Sequence, residues 1–99
     1  MLNIIKELNG SALKVELEGR LDTNTSQQLQ DELKDISDNV TELVFDLAKL
    51  TYISSAGLRV FLFAQKKMLG KGEMTIINAV EDVMDIFEIT GLADIFTIK

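Results

Sequence analysis

Residues 42 to 63 read ELVFDLAKLTYISSAGLRVFLF: an apolar approach, a pair of serines, then an apolar run with helical spacing. The first part, 42–47, is short and rich in branched and aromatic residues, with Leu43, Val44, Phe45 and Leu47 apolar, as expected of a central strand covered on both faces. From Ala56 the pattern changes. Leu58, Phe61, Leu62 and Leu69 fall on one broad face, lysines crowd the last turn and Gly70 supplies a stop, which predicts a helix over 56–70. Ser54 and Ser55 therefore stand where a strand passes into a helix.

Working outward, Ile4, Leu8 and ALKVELEG (12–19) alternate about Asn9-Gly10-Ser11, with Leu13, Val15 and Leu17 on one face and Lys14, Glu16 and Glu18 on the other. This predicts a half-buried hairpin. In TNTSQQLQDELKDIS (23–37), Thr25 with Gln28 gives a capping-box pattern, and Leu29, Leu33 and Ile36 follow helical spacing. EMTII (73–77) reads as a second buried strand, and Asn78, with Glu81 three positions on, as the cap of a third helix that buries Val80, Val83, Met84 and Phe87. GLADIFTIK (91–99) closes with a turn and a short strand. The order predicts an α/β fold in one domain over residues 1–99: a mixed sheet of about five strands, an antiparallel hairpin followed by βαβαβ with parallel pairing. In such sheets binding and chemistry gather beyond the carboxyl ends of the parallel strands, where the serine pair lies.

Composition narrows the chemistry. The chain has 99 residues, 46% of them hydrophobic and 26% charged, enough for one small core. Sixteen acidic residues against ten basic ones give a net charge of −6, which repels a phosphate backbone and argues against nucleic acid as a direct partner. No apolar run approaches the roughly 20 residues that span a bilayer, and MLNIIKELNG lacks the features of a secretory leader, so the cytoplasm is the expected location. With no histidine and no cysteine, a Ser-His-Asp triad, a Cys-His pair, disulfides and the usual zinc sites are excluded by counting. Glu81, Asp85 and Glu88 read as a solvated helix face, and Gly70-Lys71-Gly72 as a helix stop rather than a phosphate loop. Neither a catalytic, cofactor nor metal site is expected.

The serines remain, and two readings of Ser55 stand side by side. It can cap the second helix by accepting from the free N–H groups of the first turn. It can also carry a phosphoryl group, which would sit at the positive helix end among N–H donors without unfolding the chain. The small Ala56 and Gly57 would leave the backbone open to a kinase or partner, and close approach is one reason for a glycine in a first helical turn.

GRLDTNTS (19–26), LVFDLAKLTYISSAGLRVF (43–61) and FEITGLADIF (87–96) resemble, in order and spacing over nearly the full chain, three landmarks of the STAS domain, specifically of stand-alone bacterial anti-sigma factor antagonists. In that family the central motif reads Asp-Ser-Ser/Thr-Gly-Leu, and the serine after the aspartate is phosphorylated by the anti-sigma factor, an ATP-dependent kinase. Ser55 matches that serine; Ser54 stands where the family has aspartate and Ala56 where it has serine or threonine. The resemblance implies a phosphosite surround and partner-binding surface of Asp22, Thr23, Asp46, Ser54, Ala56, Gly57 and Leu58, with Asp46 matching the residue that ends the central strand. It also implies partner switching. The unmodified protein binds an anti-sigma factor serine kinase and frees a sigma factor, phosphorylation of Ser55 reverses this, and a serine phosphatase resets it. Two alternatives stay open at this point: a STAS adaptor of a signalling or lipid-transport assembly that is never phosphorylated, and a small hydrolase using Ser55 with a lysine base.

Overall fold

The N-terminal alternation closes into a hairpin of β1 (Leu2–Asn9) and β2 (Ala12–Leu21). Gly10, at φ +61°, takes the first central place of its two-residue turn, as a type II′ turn requires. The computed structural model describes residues 2–36 and 39–99. After β2 follow α1 (Thr23–Lys34), β3 (Glu42–Ile53), α2 (Ser55–Met68), β4 (Glu73–Ile77), α3 (Glu81–Ile89), a 3₁₀ turn at Leu92–Asp94 and β5 (Thr97–Ile98).

The sheet runs in the order β1-β2-β3-β4-β5, with β1 antiparallel to β2 and every later neighbour parallel. The expected mixed five-stranded sheet is there, and β3 is its centre. The parallel part begins one strand earlier than expected, because α1 already carries β2 over to β3. A strand order that never reverses, with crossovers of one hand, keeps all the helices on one face. Burial follows that rule: Leu13, Val15 and Leu17 of β2 are buried under the helices, while Lys14, Glu16 and Glu18 on the opposite face stay half-exposed.

β3 is twice the expected length. The alternation of buried residues at Leu43, Phe45 and Leu47 breaks and resumes at Leu50 and Ile53. Two register shifts against β2 account for this, each inserting an extra residue in β3 so that Leu50 and Ile53 still turn inward. A strand read by strict period two therefore stops at Leu47.

Helix ends correct three expectations. The capping box of α1 is formed by Asp22 and Thr25, not by Thr25 and Gln28, because the chain leaves β2 at Leu21 and a single extended residue, Asp22, leads into the helix. The Gln28 amide instead donates to the Leu2 carbonyl at 3.3 Å. Ser37, the last residue of the expected helix, lies outside the described residues. α2 ends at Met68, so Leu69 is 77% exposed and Met68 takes its place in the core. Asn78 does not cap α3: it sits at φ +59°, and the helix begins at Glu81 after Val80, without a side-chain cap. Glu81, Asp85 and Glu88 are exposed, as their spacing predicts.

Phe61 of α2 is the hub of the core. Its ring centroid lies 4.9 Å from Phe45 of β3, 6.2 Å from Phe87 of α3 and 6.2 Å from Phe96, all edge-on, and Phe87 meets Phe96 at 5.7 Å. Edge-to-face pairs add to the area each ring buries. Phe61→Ala should lower unfolding free energy by ~3–5 kcal/mol in chemical denaturation, whereas Leu69→Ala should stay within about 0.5 kcal/mol. Equal losses would mean that the core is not centred on this cluster.

Candidate functional site

The parallel pairing of β2 and β3 continues to Leu21 opposite Ile53, so both strands end at the same level. Each ends in one extended residue that enters a helix, Asp22 on one side and Ser54 on the other. The Ser54 N–H donates to the Leu21 carbonyl at 2.9 Å and locks the two exits together. Two helix N-termini thus open side by side.

On the β2 side the Asp22 carboxylate accepts from the N–H groups of Asn24 and Thr25, both at 3.0 Å, and the Asp22 N–H donates to Thr25 Oγ1 at 2.8 Å. Thr25 Oγ1 donates in turn to the Arg20 carbonyl at 2.8 Å, and Ser26 Oγ donates to the Asp22 carbonyl. The Thr25 N–H holds the Asp22 carboxyl below the usual carboxylate range, assisted by the Asn24 N–H against a smaller opposing effect of burial. Asp22 is therefore a fixed negative charge at neutral pH. Thr23, next in line, is exposed.

On the β3 side the cap is Ser54, not Ser55. Ser54 has the extended backbone of an N-cap, and its Oγ accepts from the Gly57 N–H at 3.2 Å. Ser55 is the first helical residue and is exposed; its hydroxyl is not needed for the cap. Sequence spacing alone could not separate the two adjacent serines, because the last residue of the strand was not visible.

Gly57 and Leu58 turn inward, which corrects their placing on a partner-facing surface. A methyl at Gly57 would come within 2.8 Å of Leu21 Cγ and 2.9 Å of Ile53 Cγ1, so the glycine serves the packing of α2 on the strand ends. Leu58 is buried at 7% exposure. Ala56 is half-buried, and among the nearby α2 residues Ser55 and Arg59 are the exposed ones. One turn further on, Arg59, Leu62, Phe63 and Lys66 line a shallow concavity whose apolar floor is flanked by cations.

Asp46 is also placed differently from expectation. It closes the ladder between β3 and β4, opposite Ile77, but β3 runs on to Ile53 beside β2, so Asp46 lies on the open sheet face, away from the strand exit. Its Oδ1 accepts from the Ala48 N–H at 3.0 Å and from the Asn78 amide at 3.2 Å, and Lys14 Nζ lies 3.6 Å from Oδ2. Burial pushes its carboxyl up, but the Ala48 N–H, the Asn78 amide and the Lys14 ammonium together outweigh this and leave it below the usual range. The bond from Asn78 ties its side chain to β3 and away from the start of α3.

A pairing missed in the sequence borders the site. Arg20 and Tyr52, neighbours across β2 and β3, stack with the guanidinium carbon 4.2 Å from the ring centroid. Only the shifted register brings them together.

Three consequences can be measured. Ser54→Ala should cost about 1 kcal/mol of stability, and Ser55→Ala markedly less, in paired denaturation curves. Gly57→Ala should destabilise by ~1–3 kcal/mol, since Leu21 and Ile53 must move to admit the methyl. Asp46 has a folded-state pKa below its unfolded one, so its stabilisation is present above the ordinary carboxylate range and lost as pH falls through the lowered value. Asp46→Asn should accordingly flatten the acid limb of stability against pH; an unchanged limb would show that the Lys14 and Asn78 contacts carry no such linkage.

Comparison with known proteins places this geometry. The STAS-domain family profile matches residues 3–99. BtrV of Bordetella bronchiseptica, a protein assigned to the anti-sigma factor antagonists, is 36% identical over 84 residues, covering 83% of this chain and 72% of the relative. An anti-sigma factor antagonist from Mycobacterium paratuberculosis superposes with a TM-score of 0.89 at 20% identity, covering 99% of this chain and 85% of that one. The Bacillus cell fate determinant SpoIIAA, solved in its phosphorylated form, superposes with a TM-score of 0.76 at 17% identity over 98% of this chain and 91% of that one. These two likenesses show the fold. Among the described residues no helix is long and apolar enough to cross a membrane.

Proposed function

This chain belongs to the STAS-domain family, and from that membership we infer that it is an anti-sigma factor antagonist whose binding is switched by phosphorylation of Ser55. The observation that carries the reading is the exposed Ser55 hydroxyl at the first helical position of α2, beside a cap that Ser54 supplies without it. Unmodified, the protein presents the exit of β3 and the outer face of α2 to an anti-sigma factor, in the cytoplasm, and a sigma factor is released. It acts by binding and catalyses no reaction itself.

The anti-sigma factor is also the kinase in this reading. The γ-phosphoryl group of ATP passes to Ser55 Oγ, the bond to the bridging oxygen of ADP breaks, and the hydroxyl proton leaves to a base on the kinase. A serine phosphatase hydrolyses the ester and restores the free hydroxyl. The phosphoserine adds about −1.5 to −2 charges next to the helix N-terminus, which tolerates it, and beside the fixed charge of Asp22. The helix and the partner therefore respond with opposite sign. Suppressing binding a hundredfold needs only ~2.7 kcal/mol, which repulsion and desolvation of one dianion supply without a change of shape. Asp46, on the open sheet face, adds nothing to this repulsion.

One observation favours a second reading, an adaptor that is never phosphorylated: Ser54 replaces the aspartate that the family motif carries before the modified serine. Incubation with a kinase-type anti-sigma factor and ATP, followed by mass spectrometry, separates the two. Phosphate is expected on the parent and on Ser54→Ala but not on Ser55→Ala, and Ser55→Asp, with a single added charge, should bind the anti-sigma factor more weakly than the parent with no loss of thermal stability. Phosphate that persists in Ser55→Ala, or undiminished binding by Ser55→Asp, removes Ser55 as the switch.

A further inference from the structure

β1 is the outer strand at one end of the sheet, and its outer edge is eight residues long. The hairpin turn fixes which backbone groups that edge presents. Asn9 and Ala12 flank the two-residue turn as partners, and in such a hairpin this pair and every second pair below it exchange backbone bonds. Asn3, Ile5, Glu7 and Asn9 therefore face β2, whereas Leu2, Ile4, Lys6 and Leu8 aim their N–H and C=O groups outward. The bond from the Gln28 side chain to the Leu2 carbonyl agrees with that direction.

Exposed edges are commonly blunted by proline, by lysine or by shortness. This one is not short, and the chain has no proline. Lys6 does not guard the edge, because its ammonium is drawn onto α1 by Glu32. The strand also leaves two large apolar side chains open, Ile5 at 51% and Leu8 at 60% exposure.

We propose that β1 pairs antiparallel with β1 of a second copy of this chain about a two-fold axis through Ile5, joining the two sheets into one. Charge selects the register. With the axis through Lys6 or Glu7, like charges stand directly opposite each other, which destabilises a sheet. With the axis through Ile4, Leu2 faces Lys6, Asn3 faces Ile5, and Leu8 is left without a partner. With the axis through Ile5, Ile5 meets its own copy on the open face, Asn3 meets Glu7, Ile4 meets Lys6, and Leu2 meets Leu8. This register alone opposes no like charges and covers both exposed apolar side chains. A single strand edge is a small interface, so the dimer forms in a concentration-dependent equilibrium. It leaves the exits of β2 and β3 uncovered and is independent of the role of Ser55.

Because the chain has no cysteine, single cysteines report the register directly. Ile5→Cys falls at a non-hydrogen-bonded pair with Cα atoms about 4.5 Å apart, within disulfide reach. It should cross-link to itself under mild oxidation, whereas Asn3→Cys and Glu7→Cys should cross-link when mixed but not separately. Ile95→Cys, at another exposed apolar position, sets the collisional background. Sedimentation of the unaltered chain should show dimer growing with concentration, and Ile5→Lys should lose it while keeping its far-ultraviolet spectrum. Self-linking of Ile5→Cys no faster than Ile95→Cys, self-linking of Asn3→Cys as fast as Ile5→Cys, or a parent that remains monomeric at every concentration overturns the proposal. Should Ile5→Lys fail to fold, the cysteine variants still decide.

Discussion

The 2.9 Å bond from the Ser54 N–H to the Leu21 carbonyl is the constraint on which the candidate site depends. It exists only because β2 and β3 pair in parallel to their last residues, which brings two chain exits to one level. Each exit has a single residue in which to turn from strand to helix, and each uses a short polar side chain to satisfy the helix it opens. The lack of a side chain at Gly57 lets α2 sit down on this junction against Leu21 and Ile53. Position, capping and packing are thus one arrangement.

The same strand pair explains what happens on the other side of the sheet. The two extra residues in β3 keep Leu50 and Ile53 directed inward and carry the strand beyond the end of β4. Asp46 is left where the β4 ladder stops, and it ties β3 to the following loop through Asn78 and to β2 through Lys14. Its charge serves the sheet rather than the strand exit. Beyond it Arg20 stacks on Tyr52 across the β2–β3 pair, and Tyr52 and Ile53 border α3 at Asp82, Val83 and Ile86.

Most of this architecture was legible in the sequence, because apolar spacing decides which face of each element is buried. Leu13, Val15 and Leu17 declared a strand, Leu29 and Leu33 a helix, and Val83 and Phe87 another, and all are buried as the spacing requires. Features that depend on a neighbouring strand were not legible. Bulges interrupt the period-two signal, so β3 was halved, and the adjacent serines then exchanged roles by one position. Capping was misassigned at Thr25 and Asn78 for a related reason: several polar residues near each start can cap, and the choice is made by where the preceding strand ends. Spacing picks out the exposed Ser55, while the cap it could supply belongs to its neighbour Ser54.

That division between the two serines bears on how a charge can act as a switch. A residue that caps a helix is held by the backbone N–H groups it satisfies, so modifying it perturbs the helix together with the surface. A residue at the first helical position is free of that duty and still lies in the favourable field of the helix N-terminus. A phosphoryl group there costs the fold little, because Ser54 and Asp22 continue to hold both helix starts. A partner binding there would, by contrast, have to bury or face that group at an exit it shares with Asp22, whose carboxylate is ionised at neutral pH. In the proposed switch, stability and affinity are set by different atoms of adjacent residues, so a single covalent change would alter binding while the domain stays as it is.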